Sequence, residues 1–262
     1  MTASPTALDI AAPERDALGH LIASLADNKA ALGRRYGEWA VSAPTLESAV
    51  AAAAMAQDEL GHARATYPLL KQLWGDKEQG AGGGACIAVL TAEFPSWQWF
   101  VAANLAVDGM LSTIVRACDD SAFVGLAQRA RKILQEELSH ALHARAWARR
   151  LARDELQRDA FATALADCWS QATLLAAQPE LASLVAGGYV AAGPEQLRAS
   201  LRSTIVEALA DTDLSAVELP EPTCPECGRI DSVTLVSSFG GQIITAQWHC
   251  DACRTHFEAV RL

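Results

Sequence analysis

Apolar residues recur every three or four positions from about residue 13 to residue 210, the spacing of one face of an α-helix. Pro13-Glu14 opens a predicted helix, since proline in a first turn sacrifices no hydrogen bond, and the spacing carries it to about Val41. Ser42-Ala43-Pro44 breaks it, and Thr45 caps a second helix that continues to about Trp74, where Gly75 and the tract 80–84 end it. Pro95-Ser96 starts a third, running to about Cys118. After the turn Asp119-Asp120-Ser121 a fourth extends from Ala122 to near Ala152. Two further patterns, 155–177 and 194–210, suit helices packed outside these four. The pattern predicts an all-α bundle.

Beyond Ala210 the character of the chain changes. Residues 211–223 hold Pro220 and Pro222 among acidic residues and read as a linker. Ser232 to Ile244 turns β-branched around Gly240-Gly241, a hairpin signal. The expected organisation is therefore a helical domain over 1–210, a linker over 211–223 and a small β module over 224–262.

Composition agrees and narrows the function classes. The chain has 262 residues, 51% of them hydrophobic, enough for one sizeable core and an appendage. A formal charge of −10 argues against nucleic acid or an anionic membrane surface as partner, because both demand a basic face. No apolar run reads as the ~20 residues of a membrane span, and the N-terminus lacks a basic-then-apolar leader; the expectation is a cytoplasmic protein.

The candidate chemistry lies in two Glu-x-x-His pairs on separate long helices, Glu59/His62 and Glu137/His140. Residues three apart share a helix face, so each pair presents a carboxylate and an imidazole inward together. Bundles that hold two irons take such a pair from each of two helices and one carboxylate from each of the other two. On the third helix the isolated acid is Asp108, within Leu105-Ala106-Val107-Asp108-Gly109, where an unpaired buried charge costs several kcal/mol and a metal offsets that cost. Counting back from the first interhelical turn puts Asp27 at the height of Glu59, and Glu38 about 16 Å too near the turn. Asp27 is the expected sixth ligand. Such a set of carboxylates and imidazoles suits iron or manganese, with O₂ activation as the chemistry.

Neighbouring residues are expected to do less. Asp58 and Glu136 precede ligands and point elsewhere, toward basic residues. His143 faces solvent or supports a ligand. Trp97, Trp99 and Phe100 are core or line a pocket for an aromatic substrate.

Four of the seven cysteines form two knuckles, Cys224-Pro225-Glu226-Cys227 and Cys250-Asp251-Ala252-Cys253, the spacing of a tetrahedral Cys₄ zinc site. Four thiolates leave no open position, so the zinc is expected to be structural. Cys86, Cys118 and Cys168 read as small apolar residues.

These motifs resemble the ferritin-like subunits of the multicomponent ring-1,2-phenylacetyl-CoA epoxidase, over roughly residues 20–170. Leu25-Ala26-Asp27-Asn28, Gly37-Glu38-Trp39, Ala43-Pro44-Thr45-Leu46 and Leu60-Gly61-His62-Ala63-Arg64 are similar to the structural subunit, which lacks iron ligands. Gln57-Asp58-Glu59-Leu60-Gly61-His62, Val107-Asp108-Gly109 and Glu136-Glu137-Leu138-Ser139-His140 are similar to the catalytic subunit. The resemblance implies a ferritin-like fold and places Glu59, His62, Asp108, Glu137 and His140 on iron-ligand positions. An ungapped comparison sets Lys29 where the family has its first-helix glutamate. The tail resembles the zinc ribbon of another phenylacetate-pathway protein, here fused to the bundle.

The resulting expectation is a two-iron monooxygenase or epoxidase with one structural zinc. It would take O₂, an aromatic or acyl-CoA-type small molecule and electrons from a separate reductase, and work as a homo- or hetero-oligomer. The alternatives are a non-catalytic structural subunit of such an epoxidase and a ferroxidase or peroxide-reducing ferritin-like protein.

Overall fold

A computed structural model describes residues 10–75, 86–178, 180–217, 219, 224–227, 233–237 and 245–260. The glycine tract 80–84 and the turn at Gly240-Gly241 lie outside these residues. Four long helical segments form the bundle. They are α1 (Ala12–Trp39), α2 (Leu46–Thr66), a continuous run from α4 (Trp97–Ala103) to α5 (Gly109–Ala117), and α6 (Val124–Ala152). Helix α1 packs along α2, α2 and α5 pack on α6, and α7 (Arg158–Ala176) and α9 (Pro194–Leu209) cover α4 and α5 from outside.

Local chemistry sets the boundaries. Pro13 sits in the first turn of α1 with Glu14, an acid at the positive end of the helix dipole. Thr45 accepts a hydrogen bond from Ser48 N (3.2 Å), the expected cap of α2. That helix stops at Thr66 instead of reaching Trp74, because Pro68 lacks an N–H and opens a separate short helix, α3 (Pro68–Trp74). Gly75, at φ 70°, then ends α3. The short α8 (Leu181–Ala186) has no counterpart in the sequence reading.

The third bundle segment carries a π-helical turn over Asn104–Asp108, between α4 and α5. One extra residue per turn changes the rotation of everything after it, a feature that concentrates at functional sites. The whole segment Trp97–Ala117 is also long and apolar enough to cross a membrane by composition, contrary to the expectation of no such run. It lies inside the bundle instead, with Phe100, Val101, Met110 and Leu111 fully buried. Apolar character here marks a core helix buried over most of its length.

Between α1 and α2 the backbones come close at Gly33. A Cβ there would meet Leu60 Cγ at 2.9 Å and Ala56 O and Glu59 Cβ at 3.1 Å, so only glycine lets the two helices approach at the level of Glu59.

The C-terminal module is a three-stranded antiparallel sheet in the order β1 (Val233–Ser237), β2 (Thr245–Cys250), β3 (Thr255–Val260). The third strand exceeds the single hairpin read from the sequence. Val233, Trp248, Cys224 and Cys250 form a small core that packs on Ala177 and Leu174 of the helical part. Arg198 of α9 donates to the carbonyl of Val233 (3.4 Å). The connecting stretch is not a free tether at either Val217 or Leu219, both of which pack on the main core.

Candidate metal centre

Glu59 and His62 on α2, Asp108 in the π turn, and Glu137 and His140 on α6 converge in the middle of the bundle, all buried. The helix geometry that puts i and i+3 on one face brings each pair inward. The sixth member is not the expected one.

Asp27 lies outside the cluster, and its Oδ1 accepts a hydrogen bond from Tyr67 Oη (2.7 Å). Height alone placed it level with Glu59, but rotation decides which way a side chain points. The buried stripe of α1 runs through Ile22, Leu25, Leu32 and Tyr36. Lys29 lies on that stripe, whereas Asp27, two residues and about 200° earlier, does not.

Lys29 therefore enters the centre. Its ammonium donates to both carboxylate oxygens of Glu59 (2.9 Å each) and to Oε1 of Glu137 (2.6 Å), and lies 3.6 Å from Oδ1 of Asp108. On the same side, His62 Nδ1 lies 3.3 Å from Oε1 of Glu59 and 3.3 Å from Oε1 of Glu137. Across the cluster, His140 Nδ1 lies 3.1 Å from Asp108 Oδ2, 3.5 Å from Glu59 Oε1 and 3.6 Å from Glu137 Oε2. Tyr36 Oη and Asn104 Nδ2 both donate to Asp108 Oδ2 (3.1 and 3.2 Å), and Ser112 Oγ donates to Glu137 Oε2 (2.7 Å). Asp108 Oδ1 is buried without a hydrogen-bond partner.

The outer nitrogens of both histidines are held by carboxylates that sequence reasoning assigned to basic partners. His62 Nε2 lies 2.6 Å from Glu136 Oε2, and His140 Nε2 lies 3.3 Å from Asp58 Oδ2. Each acid comes from the opposite helix, so α2 and α6 orient one another's imidazoles across their seam, as carboxylates commonly do for ligating histidines. His143 does not face open solvent. Its Nδ1 lies 3.4 Å from Asn104 Oδ1, and burial followed by the charge of His140 pulls its pKa down to about 4. Trp97 and Phe100 stack at 4.3 Å in the core beside it.

Electrostatics follow from packing these charges together. Burial opposes the charge of Lys29, but Glu137, Glu59 and Asp108 outweigh it and raise the ammonium above its ordinary pKa. Burial likewise works against both imidazolium ions, yet carboxylate hydrogen bonds carry His62 up to about 10 and His140 up to about 9. Glu137 is held well below the carboxylate range against its burial, chiefly by Lys29, whereas burial pushes Glu59 up to about 8 with Lys29 pulling the other way. Since both Glu59 oxygens accept from the ammonium, the geometry is that of a carboxylate. With both imidazoles protonated, Lys29, His62 and His140 face Glu59, Asp108 and Glu137 inside the cluster and Glu136 and Asp58 at its outer edge.

The buried carboxylates and imidazoles are of the type that holds iron, but a cation already stands among them. Lys29 stands where the resemblance sets the first-helix carboxylate of a two-iron bundle, and its ammonium, which has no lone pair to offer a metal, lies between Glu59 and Glu137.

A pocket of about 410 Å³ opens between α5, α6 and α9. Its floor includes Asp108, Ser112, Glu137 and His140; Leu105, Leu134, Leu138 and Leu142 line its sides with Arg116, Arg145 and Glu207.

In the ribbon, the four cysteine sulfurs form a second group able to hold a metal, with Cys224 Sγ 3.5 Å from Cys253 Sγ and Cys227 Sγ 3.6 Å from Cys250 Sγ. Sulfurs bound tetrahedrally at ~2.3 Å from zinc lie roughly 3.8 Å apart, so little movement is needed to close the site. The contact with Thr255 Oγ1 (3.3 Å), followed by neighbouring sulfurs, draws Cys253 down to about 6, toward the thiolate.

Comparison with known families agrees with both parts. The family described as phenylacetic acid catabolic protein matches residues 1–229, and the PaaD zinc beta ribbon domain matches residues 211–261. Among curated individual proteins none matches the chain.

Proposed function

Given that the chain belongs to the phenylacetic acid catabolic protein family, we propose that it is a helical subunit of a phenylacetyl-CoA epoxidase-type assembly that docks a metal-loaded catalytic partner. The single observation behind this reading is Lys29, whose ammonium lies 2.6–2.9 Å from Glu137 and Glu59 where a second metal would need to sit. Reduction of O₂ in paired electron steps calls for two irons, and a fixed internal cation removes room for one of them. Members of the family work in a multicomponent complex, which suits a chain whose role is to hold a partner. The Cys₄ ribbon adds one structural zinc, supported by its thiolate spacing and its family match.

The pocket beside the cluster also favours one rival, an oxygenase active without a catalytic partner. The pocket of about 410 Å³ ends on Asp108, Glu137 and His140, where a substrate would meet a metal. Co-expression with a catalytic subunit of the family separates the two. The scaffold reading expects a stable complex and turnover of phenylacetyl-CoA, with O₂ and a reductase, only when the partner is present. Turnover by this chain and a reductase alone overturns it.

A further inference from the structure

We infer that the outer face of the ribbon carries a second, open metal site, in which His249 and His256 hold one divalent transition-metal ion of the nickel, copper or zinc type. The inference rests on the ribbon's own geometry and is independent of the scaffold reading and of the buried cluster in the bundle.

The strand register makes the pair. In the antiparallel ladder of β2 and β3, His249 stands directly opposite His256. Residues so placed project side by side from one face of a sheet, with Cβ atoms about 4.5–5.5 Å apart. The two rings accordingly lie 4.4 Å apart between centroids, inclined at 43°. Imidazole nitrogens bound at ~2.1 Å to one ion, at right or tetrahedral angles, put their ring centroids roughly 4.5–5 Å apart, so the pair already stands at chelating distance.

A carboxylate fixes which nitrogen can bind. His249 Nδ1 lies 2.9 Å from Asp251 Oδ1. An ionised carboxylate only accepts hydrogen bonds, so Nδ1 carries the proton and Nε2 carries the lone pair. An acid outside the coordination sphere orients a ligating histidine in this way and raises its basicity.

This face is distinct from the one that holds the structural zinc. Side chains alternate along a strand, so His249 points away from the face of its neighbours Trp248 and Cys250, which belong to the ribbon's core. His256 is exposed, and His249 keeps 24% of its side chain exposed. A metal held by two imidazoles keeps positions for water, unlike the closed Cys₄ site. Two neutral nitrogens select borderline ions, with copper and nickel ahead of iron and manganese.

The test titrates nickel ion into the full chain with its ribbon zinc loaded, and counts zinc before and after. Calorimetry should give one saturable nickel site per chain, weakened about tenfold or more in His249→Ala and in His256→Ala with zinc unchanged. Asp251→Ala, which removes only the orienting acid, should weaken it about tenfold at the same stoichiometry. His20→Ala, which alters an exposed histidine of α1, should bind as the wild type does. Nickel is paramagnetic, so in the wild type, which needs no variant to fold, it should broaden the ring resonances of His249 and His256 before those of other histidines. The site is overturned by equal affinity in the wild type and His256→Ala, by the lack of a saturable site, or by broadening centred on His20 or on the bundle. None of these results bears on whether the chain docks a catalytic partner.

Discussion

The ammonium of Lys29 lies 2.6 Å from Oε1 of Glu137, a residue 108 positions away, so the first and last helices of the bundle are joined by an ion pair buried at its centre. Removing one member of such a pair leaves the other uncompensated, which costs about 3–5 kcal/mol. Lys29→Met, close in length and without charge, should therefore lower the unfolding free energy from urea titration by an amount in this range in iron-free protein. A loss below about 1 kcal/mol would mean that the three carboxylates find their protons without help.

The close approach of α1 and α2 gives a steric prediction. Gly33→Val should destabilise by at least about 1–3 kcal/mol, because the added side chain collides with Leu60, Ala56 O and Glu59 Cβ. Gly37→Ala is the matched control, since its new Cβ meets only Ala56 Cβ at 3.8 Å. That change should be neutral or stabilising by up to about 1 kcal/mol. Thermal melts of the two variants side by side check the contrast.

A pH dependence follows from the imidazoles of the metal-free protein. His62 and His140, at about 10 and 9, bind protons more tightly folded than unfolded, where histidine titrates near ~6.5. Their stabilisation is complete below ~6.5 and is lost as pH rises through 9 and 10. Urea midpoints of the wild type should fall across that alkaline window, and those of His140→Gln should fall less steeply. Parallel slopes would show that His140 does not contribute.

Removal of the ribbon metal should act locally. Cys227→Ala with Cys253→Ala is expected to abolish zinc binding and the near-ultraviolet signal of Trp248, which belongs to the ribbon's own small core. The helical circular dichroism should persist, because the main core of the bundle is a separate cluster. Collapse of the helical signal at 25 °C would show that the bundle leans on the ribbon.

Much of this fold can be read directly from residue order. Four helices, their turns and the Cys₄ knuckles follow from apolar spacing, proline and glycine. The convergence of Glu59, His62, Glu137 and His140 follows from two i, i+3 pairs on long helices. Asp108 was visible as an acid among apolar neighbours, although the π turn that aims it was not, since no residue type marks one. The errors have physical causes. Asp27 was placed by height along α1 without regard to rotation, while the stripe Ile22, Leu25, Leu32, Tyr36 already pointed to Lys29. The ungapped family comparison set Lys29 at the same position. Pro68 carried the signal that splits α2 from α3. Asp58 and Glu136 depend on a contact between helices some 75 residues apart in sequence, beyond the reach of any local pattern.

Among the described residues the ribbon touches the helical body through Leu174, Ala177 and the Arg198 donor to Val233. As separate molecules, two surfaces of that extent would spend most of their time apart. Joined through a stretch that is itself anchored on the bundle at Val217 and Leu219, they meet at an effective concentration in at least the millimolar range. Every copy of the bundle thus arrives with its own ribbon in one-to-one proportion, and a weak contact suffices to seat it.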